Sequence, residues 1–285
     1  MTATAPASAA TVLVRNDGPV RILTIDNAPK RNAFDSKMTA RLLDLLHEAD
    51  ADSAVRCIVV TGAGTSSFSS GHDLAEVMEN PETAGDPVAN AAFTTPPLLG
   101  TPVIAAVNGN AYAAGFILAL NCDLRVAGSN ARFCAVGAKI GLVPVGGQLS
   151  RLLSVVTYPT AFKMLATAQP IDAHEALASQ FVTTVCEPAD TLDEAIRLAK
   201  QVAEVSPAVI RAIKTGLRAT MSHGLDAGLT LEPKLAGVIR ELPDGAEGVA
   251  SFLDKRPAAY PDSPEGLQDQ LDEALSSHLT SITRG

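Results

Sequence analysis

The chain has 285 residues, 47% hydrophobic and 19% charged, with no tryptophan and a formal net charge of −9. That length allows one large domain or one domain with an appendage, and the acidic balance argues against nonspecific nucleic-acid binding, which needs Lys and Arg in excess on one face. The four cysteines (Cys57, Cys122, Cys134, Cys186) are widely spaced and form no CxxC pair, which argues against a disulfide framework and against a metal site. Residues 1–10 have neither a basic n-region nor an apolar h-region, and no apolar run reaches the length of a membrane span, so a soluble, cytoplasmic protein without a membrane partner is expected.

Residues 1–10, MTATAPASAA, read as a disordered start. Residues 11–26 alternate apolar and polar around Asp17-Gly18, a hairpin signal. Asp35 or Ser36 can cap a helix whose apolar Met38, Leu42, Leu45 and Leu46 share a face. Residues 55–61 read as a buried strand, followed by a Gly/Ser loop, GAGTSSFSSGHDLAEV, leading into a short helix. Residues 80–97 are Pro-rich and patternless and read as a mobile loop. The chain is organised around the next stretch, 101–123, TPVIAAVNGNAYAAGFILALNCD. Its apolar run 102–107 predicts a strand, Asn108-Gly109 a turn, and Ala111, Ala113, Ala114 and Gly115 the start of a buried helix. Small residues there admit close approach to backbone N–H groups, which suits a partial negative charge. On these residues alone, close helix–strand packing is the alternative.

Residues 124–128 and 131–134 read as strands, and KIGLVPVGGQLSRLL as a Gly/Pro loop opening a helix near Gly147. A helix over 158–167, a capped helix start at 171–175 and a strand over 181–187 follow. Beyond Thr191 the pattern is helical: 191–204, 207–221 with Ser206 as cap and Pro207 at its first position, 224–241 and 246–253. The polar, acidic stretch after Tyr260 predicts one more amphipathic helix. Strands and helices interleave up to about 187 and then strands stop, so the fold class is a layered or spiral α/β core with a helical C-terminal appendage.

Seven stretches, in order, carry a resemblance: Lys30-Arg31-Asn32-Ala33; Phe68-Ser69-Ser70-Gly71-His72-Asp73-Leu74; 102–109 with its small-residue turn; Cys122-Asp123-Leu124-Arg125; Ala131-Arg132-Phe133; Gly141-Leu142-Val143-Pro144; and Glu247-Gly248 with Phe252-Leu253-Asp254-Lys255-Arg256-Pro257. Over about 11–260 the chain resembles the crotonase (enoyl-CoA hydratase/isomerase) superfamily. The resemblance implies a crotonase/ClpP-like spiral of ββα units over 11–205, a helical oligomerisation region over 206–260 that builds a homotrimer or a dimer of trimers, and an acidic extension over 261–285. It also implies an acyl-CoA thioester as ligand, with coenzyme A entering as part of the substrate and no separate cofactor. The backbone N–H groups of His72 and Ala114 would form an oxyanion hole for a thioester enolate. Lys30 and Arg31 would face the CoA phosphates with the Ala33 backbone nearby; read alone, they are a solvated charge pair in a turn. Carbonyls of Ser70 and His72 would meet the adenine, and Leu74 would pack near it. Phe252 and Lys255 would arrive from a neighbouring subunit. A lysine frequent in the family two residues after Asp73 is here Ala75.

The chain departs from the family at its acid/base positions. The two carboxylates that handle water and the C2 proton fall at Ile117 and Gly137, and a third family position falls at Val145. Between 101 and 160 the only acidic residue is Asp123, which reads as a turn brace, so efficient hydration is not expected. The SGHD sequence resembles a branch of enoyl-CoA hydratase domain-containing proteins and the AGHD loop of methylmalonyl-CoA decarboxylase, although the Tyr of that enzyme is here Pro144. The His72 ring is thus a candidate chemical group, with a surface role as the alternative. Tyr112 reads as packing, Lys139 as surface, Gln148 as a loop hydrogen bonder, and His47, His174, His223 and His278 as surface. Three functions stand open: an acyl-CoA lyase or isomerase with nonstandard acid/base chemistry, a catalytically silent acyl-CoA carrier, and a decarboxylase using His72.

Overall fold

The computed structural model describes residues 10–80 and 85–282, with side chains described to residue 277. The expected disorder of 1–10 therefore falls almost wholly outside the described residues. Strands β1 (Thr11–Asp17) and β2 (Val20–Asp26) form the expected hairpin, antiparallel from Thr11↔Asp26 to Asp17↔Val20. The chain then alternates between two sheets. β3 (Cys57–Gly62) joins the first sheet and β4 (Ser67–Ser69) the second; β5 (Val103–Val107) returns to the first and β6 (Asn110–Tyr112) to the second. β7 (Leu124–Gly128) and β8 (Arg132–Cys134) repeat the step, and β9 (Ile171–Asp172) and β10 (Thr184–Cys186) end the two sheets. The orders are β1-β2-β3-β5-β7-β10 and β4-β6-β8-β9. From β2 onward the first sheet is parallel; in the second, only β9 is antiparallel to its neighbour. A strand that alternates sheets at every turn of the chain makes the spiral α/β architecture that the sequence pattern predicts.

β3 and β5 read as unbroken apolar runs because both faces are covered. On one face Ile58, Val60, Val103 and Ala105 join the main core with α1 (Ser36–Ala51), α3 (Ala91–Thr94) and α4 (Ala114–Asn121). On the other, Cys57, Val59, Ile104 and Ala106 pack beneath Ala195, Ile196 and Ala199 of α7 (Thr191–Ala203). The caps follow the sequence. The Asp35 carboxylate, not Ser36, accepts from Met38 N at 2.7 Å, Asp172 caps α6 (Ala173–Ala178), and Ser206 caps α8 (Pro207–His223) by accepting from Val209 N at 3.1 Å. Two readings are corrected. The segment expected as a mobile loop over 80–97 contains α3 and a 3-10 turn over Pro96–Leu98, with residues 81–84 outside the described residues. The helix expected near Gly147 is a run of turns ending in a 3-10 turn, Arg151–Ser154, before α5 (Tyr158–Thr167).

The C-terminal helices α8, α9 (Leu225–Arg240) and α11 (Leu267–Ile282) own a separate small core, and α10 (Asp244–Asp254) packs on α9. Two cations of α8 pin this region to the spiral. Lys214 Nζ donates to Pro96 O and Thr101 O, both at 3.2 Å, and to Asp123 Oδ2 at 2.6 Å. Arg211 binds Asp50 O at 2.9 Å and Thr101 Oγ1 at 3.0 Å. Asp123 also accepts from Val103 N at 2.8 Å, so it braces a turn as expected, and the sequence missed only its cation. Because Lys214 is largely buried, removing it strands a carboxylate in a poorly hydrated site. Lys214→Met should lower the stability of the chain by about 2–4 kcal/mol in urea unfolding, and Asp123→Asn in that background should recover part of the loss; a cost near zero would show that the pair is idle.

Candidate active site

Two backbone segments meet where the fold brings β4 beside β6 and α4. Gly71 has φ +99°, and a Cβ built on it would lie 2.7 Å from Ala113 Cβ and 3.0 Å from Ala114 N. Only glycine fits there. Gly115 is equally confined: a Cβ would meet Ser69 O at 2.3 Å. Ala114 is the first residue of α4, so its N–H has no partner within the helix, and the His72 N–H lies in the loop just after Gly71. Among the described residues neither N–H has a protein acceptor. The Gly71–His72 loop thus lies against the start of α4, with both N–H groups left without a partner among the described residues.

The KRNA segment holds this loop in place. Arg31 and Asn32 both take left-handed conformations, at φ +56° and +57°. Ser70 N donates to Arg31 O at 3.1 Å, Phe34 N to Gly71 O at 2.8 Å and Asp73 N to Phe34 O at 2.7 Å. Buried Asn32 donates to Ser67 O at 2.7 Å and accepts from Asn27 N at 3.1 Å. Asn108 does the same across the neighbouring turn, donating to Gly62 O at 2.7 Å. Sequence reading missed the two asparagines as braces; their places beside tight turns were the available signal. Lys30 Nζ pairs with the Asp73 carboxylate, which holds the Lys30 pKa up and the Asp73 pKa down. Asp73 in turn caps α2 (Leu74–Glu79) through Ala75 N. The Arg31 side chain is exposed, Ala33 is buried with its carbonyl accepting from Asn27, and Leu74 is 75% exposed. Lys30, Arg31, Ala33, Ser70, His72 and Leu74 are thus together at one edge. Phe252 and Lys255 are not with them: they stand on and just after α10, beside α9 and Tyr260, with Phe252 83% exposed.

The His72 ring packs edge-on against Phe93, centroids 5.2 Å apart, with Nε2 3.4 Å from Asn90 Oδ1. Burial is the main cause of a pKa below its ordinary 6.5, so the ring is neutral at pH 7. It lines a cleft of about 490 Å³ between α1, α2 and residues 86–92, which also carries the carboxylates of Glu76, Glu79 and Asp86. Glu76 is engaged by Ser36 N at 2.8 Å. Ile117, one turn beyond Ala114, is buried and packed against Gly146, where a Cβ would lie 2.6 Å from Ile117 Cγ2. Asn121 Nδ2 ties the same turn to α4 by donating to Gly146 O and Ile117 O, each at 2.9 Å. Gly137 opens a 3-10 turn, Gly137–Ile140, and a Cβ there would meet Leu142 O at 2.9 Å. Gln148 donates to Val145 O at 2.8 Å, Lys139 is exposed, and Tyr112 is half-buried at the end of β6. His47, His174 and His223 are exposed as expected; the His278 side chain lies outside the described residues.

At the far end of α4, Arg125 is buried against carbonyls: Cys122 O at 2.7 Å, Ala119 O at 3.1 Å and Phe181 O at 2.5 Å. Burial brings its pKa down to about 10, so it stays charged at neutral pH. It satisfies the orphan acceptors of the last turn and places a cation at the negative end of the dipole. No group of three or more metal-ligating side chains occurs among the described residues, and no helix is long and apolar enough to cross a membrane.

A model of the enoyl-CoA hydratase/isomerase family matches residues 15–263. The chain is 32% identical over 248 residues to a short-chain-enoyl-CoA hydratase of Clostridium acetobutylicum, covering 86% of this chain and 95% of that one. It is 34% identical over 251 residues to the 2,3-dehydroadipyl-CoA hydratase of Escherichia coli K12, covering 86% and 96%. The crystal structure of an enoyl-CoA hydratase from Bacillus anthracis superposes with a TM-score of 0.83 at 26% identity, covering 88% of this chain and 98% of that one. The chain belongs to the enoyl-CoA hydratase/isomerase, or crotonase, family.

Two measurements test the site. Gly71→Ala should cost about 1–3 kcal/mol in stability from its left-handed backbone alone, and the new methyl must also displace Ala113; an unchanged unfolding midpoint would show that the contact is loose. Above pH 6.5 the His72 ring is neutral in both the folded and unfolded chain, and its contribution to stability is complete. As the pH falls through 6.5 toward the lower folded value, the unfolded chain takes up a proton that the folded one does not, and stability drops. His72→Asn should flatten that decline between pH 7 and 5.5; parallel profiles would mean that the ring is not desolvated.

Proposed function

We propose that the protein is an acyl-CoA enzyme of the crotonase family that stabilises a thioester enolate between the backbone N–H groups of His72 and Ala114. One observation supports this reading: Gly71, just before His72, lies against Ala114 N at the start of a buried helix, and neither the His72 nor the Ala114 N–H has an acceptor among the described residues. Related proteins are named for enoyl-CoA and dehydroadipyl-CoA hydration, and a thioester oxygen that gains charge is the common need of such chemistry. Lys30, Arg31, Ala33, Ser70, His72 and Leu74 border the coenzyme A end of the ligand. Lys30 would exchange its Asp73 partner for, or share it with, a phosphate. Phe252 and Lys255 complete that end from a second copy in a homotrimer or a dimer of trimers. The open apolar groove between α8 and α9, lined by Val209, Ile213, Gly216 and Leu217, supports such an assembly.

Ile117 and Gly137 leave the site without the general acid and base that hydration uses. Losing one such group typically slows a reaction by ~10²–10⁴, so this chain is a poor hydratase and a better catalyst of steps that need the enolate alone. A silent acyl-CoA carrier is the second reading, favoured by the same two residues. A decarboxylase that holds a substrate carboxylate on His72 fits less well, because the cleft beside the ring already carries Glu76, Glu79 and Asp86, whose charges oppose a second anion.

Calorimetric titration should show acyl-CoA binding that weakens when Lys30 and Arg31 are both changed to Ala. No binding of any acyl-CoA would remove the whole reading. Crotonyl-CoA turnover should fall at least ~10²-fold below that of a hydratase with both carboxylates, and turnover at the full rate would sink the claim about Ile117 and Gly137. Release of CO2 from a malonyl-type thioester, abolished in His72→Ala, would overturn the ranking of the third reading.

A further inference from the structure

Two cations stand side by side at the end of α10, Lys255 and Arg256, and their surroundings differ. Arg256 grips Glu247 with both ends of its guanidinium, Nη1 donating to Oε1 at 2.7 Å and Nη2 to Oε2 at 2.9 Å. Its Nε lies 3.5 Å from Asp254 Oδ2. Glu247 Oε1 also accepts from Ala259 N at 2.6 Å, so one carboxylate closes the whole turn that follows the helix. The Glu247 side chain is only 19% exposed. The Arg256 cation, with the Ala259 N–H, holds its carboxyl down at about 2, so it is charged at neutral pH. Beyond the turn, Arg56 Nη2 donates to Tyr260 O at 2.7 Å, which fastens this segment to the residue just before β3. The Tyr260 ring stands over Gly248, where a Cβ would meet its hydroxyl at 3.1 Å.

Lys255 lies between these anchors. It ends α10 in a left-handed conformation, φ +53°, with its N–H donating to Phe252 O at 3.3 Å and Arg256 N to Ser251 O at 3.1 Å. Glycine is the ordinary residue at such a helix end, and a side chain persists there where its surroundings over-determine the backbone. The Lys255 side chain is exposed and, among the described residues, has no ionic or hydrogen-bonded partner. The two neighbours therefore divide the work: Arg256 is spent on the turn and Lys255 is left free. We propose that Glu247 is a positioning residue for Lys255: by taking Arg256 and closing residues 254–259, it fixes where the Lys255 ammonium meets the coenzyme A phosphates. This rests on the assignment of Lys255 to that end under the proposed function; the clamp and the division between the two cations do not. The sign of the effect separates positioning from plain charge. Removing the Glu247 carboxylate makes the surroundings of Lys255 more positive, which by itself would tighten the hold on an anion. Loss of a fixed ammonium weakens it.

The test is calorimetric titration of the full chain with butyryl-CoA, comparing the unaltered protein, Lys255→Met, Glu247→Gln and the double variant. Glu247→Gln should bind about threefold to tenfold more weakly. The double variant should bind no more weakly than Lys255→Met alone, because the carboxylate acts only through the lysine. Tighter or unchanged binding in Glu247→Gln overturns the proposal, and so does a further loss of the same size in the Lys255→Met background, which is what a merely structural role gives. Should Glu247→Gln fail to fold, Glu247→Asp replaces it, keeping the charge and shortening the reach: weaker binding is expected beside Lys255 and none of that loss beside Met, and equal losses in both overturn the proposal. If Lys255→Met binds as tightly as the unaltered chain, or the unaltered chain binds no butyryl-CoA, the coenzyme A assignment falls and this proposal with it. A weakened Lys255→Met beside a neutral or additive Glu247→Gln overturns this proposal alone.

Discussion

The contact of Gly71 against Ala113 and Ala114 is the constraint from which the rest of the structure follows. Two peptide segments approach to within a methyl group of each other, which under the proposed function lets their N–H groups face the same oxygen. No side chain can supply this; it requires backbone on backbone, and therefore Gly71 at φ +99°, Gly115 against Ser69 and small residues between them. The spiral answers that requirement. Because successive strands alternate sheets, β4 runs parallel to β6, and the loop after one falls beside the helix after the other. Asn32, Asn108 and the short ladder from 31–34 to 70–73 then fix the loop with hydrogen bonds that do not depend on a ligand. A site so held is preorganised, which is what makes oriented donors effective. The non-glycine Ala113 at φ +48° is local strain carried at the same turn.

The positive end of α4 is supported from its other end. α4 has only eight residues, so four orphan carbonyls at its C-terminus would be a large fraction of its backbone. Arg125 takes several of them from within the core, and Arg151 reaches Leu120 O at 3.4 Å. Just beyond, Asp123 is held by Lys214 from α8. The helix that presents Ala114 is thus tied at its far end to β7, to the turns before α5 and to the C-terminal helices.

Most of the regular architecture was legible in the residues. The hairpin, the buried strands, the long helices and their caps at Ser206 and Asp172 carry period and cap signals strong enough to survive tertiary context. What escaped was short. β4, β6 and β9 span two or three residues, too few for an alternating pattern, yet with β8 they form the second sheet. α3, four residues long, sits in a Pro-rich stretch that reads as loop. At the site, the donor residues came from a resemblance that ordered motifs supplied. Periodicity alone left that turn open between packing and ligand. The braces were illegible for a different reason: Asn32 with Ser67, Lys214 with Asp123 and Arg125 with Phe181 are long-range pairs, and one sequence gives no sign of which distant residue a polar side chain will meet.

Under the proposed function, restoring carboxylates at 117 and 137 would take more than two substitutions. A glutamate at 117 would enter a buried position that Gly146 and Asn121 close from the other side, and desolvation there would push its pKa up. At 137 the first added carbon meets the Leu142 carbonyl at 2.9 Å, so a side chain needs the 137–142 turn to open, and an anion would then face the oxygen it displaced. The turns from 137 to 148 thus leave little room for a larger side chain at 137 or 146. Under the proposed function, substrates whose own bonds supply the electrons for the enolate suit this geometry, and substrates that must be attacked by an activated water do not.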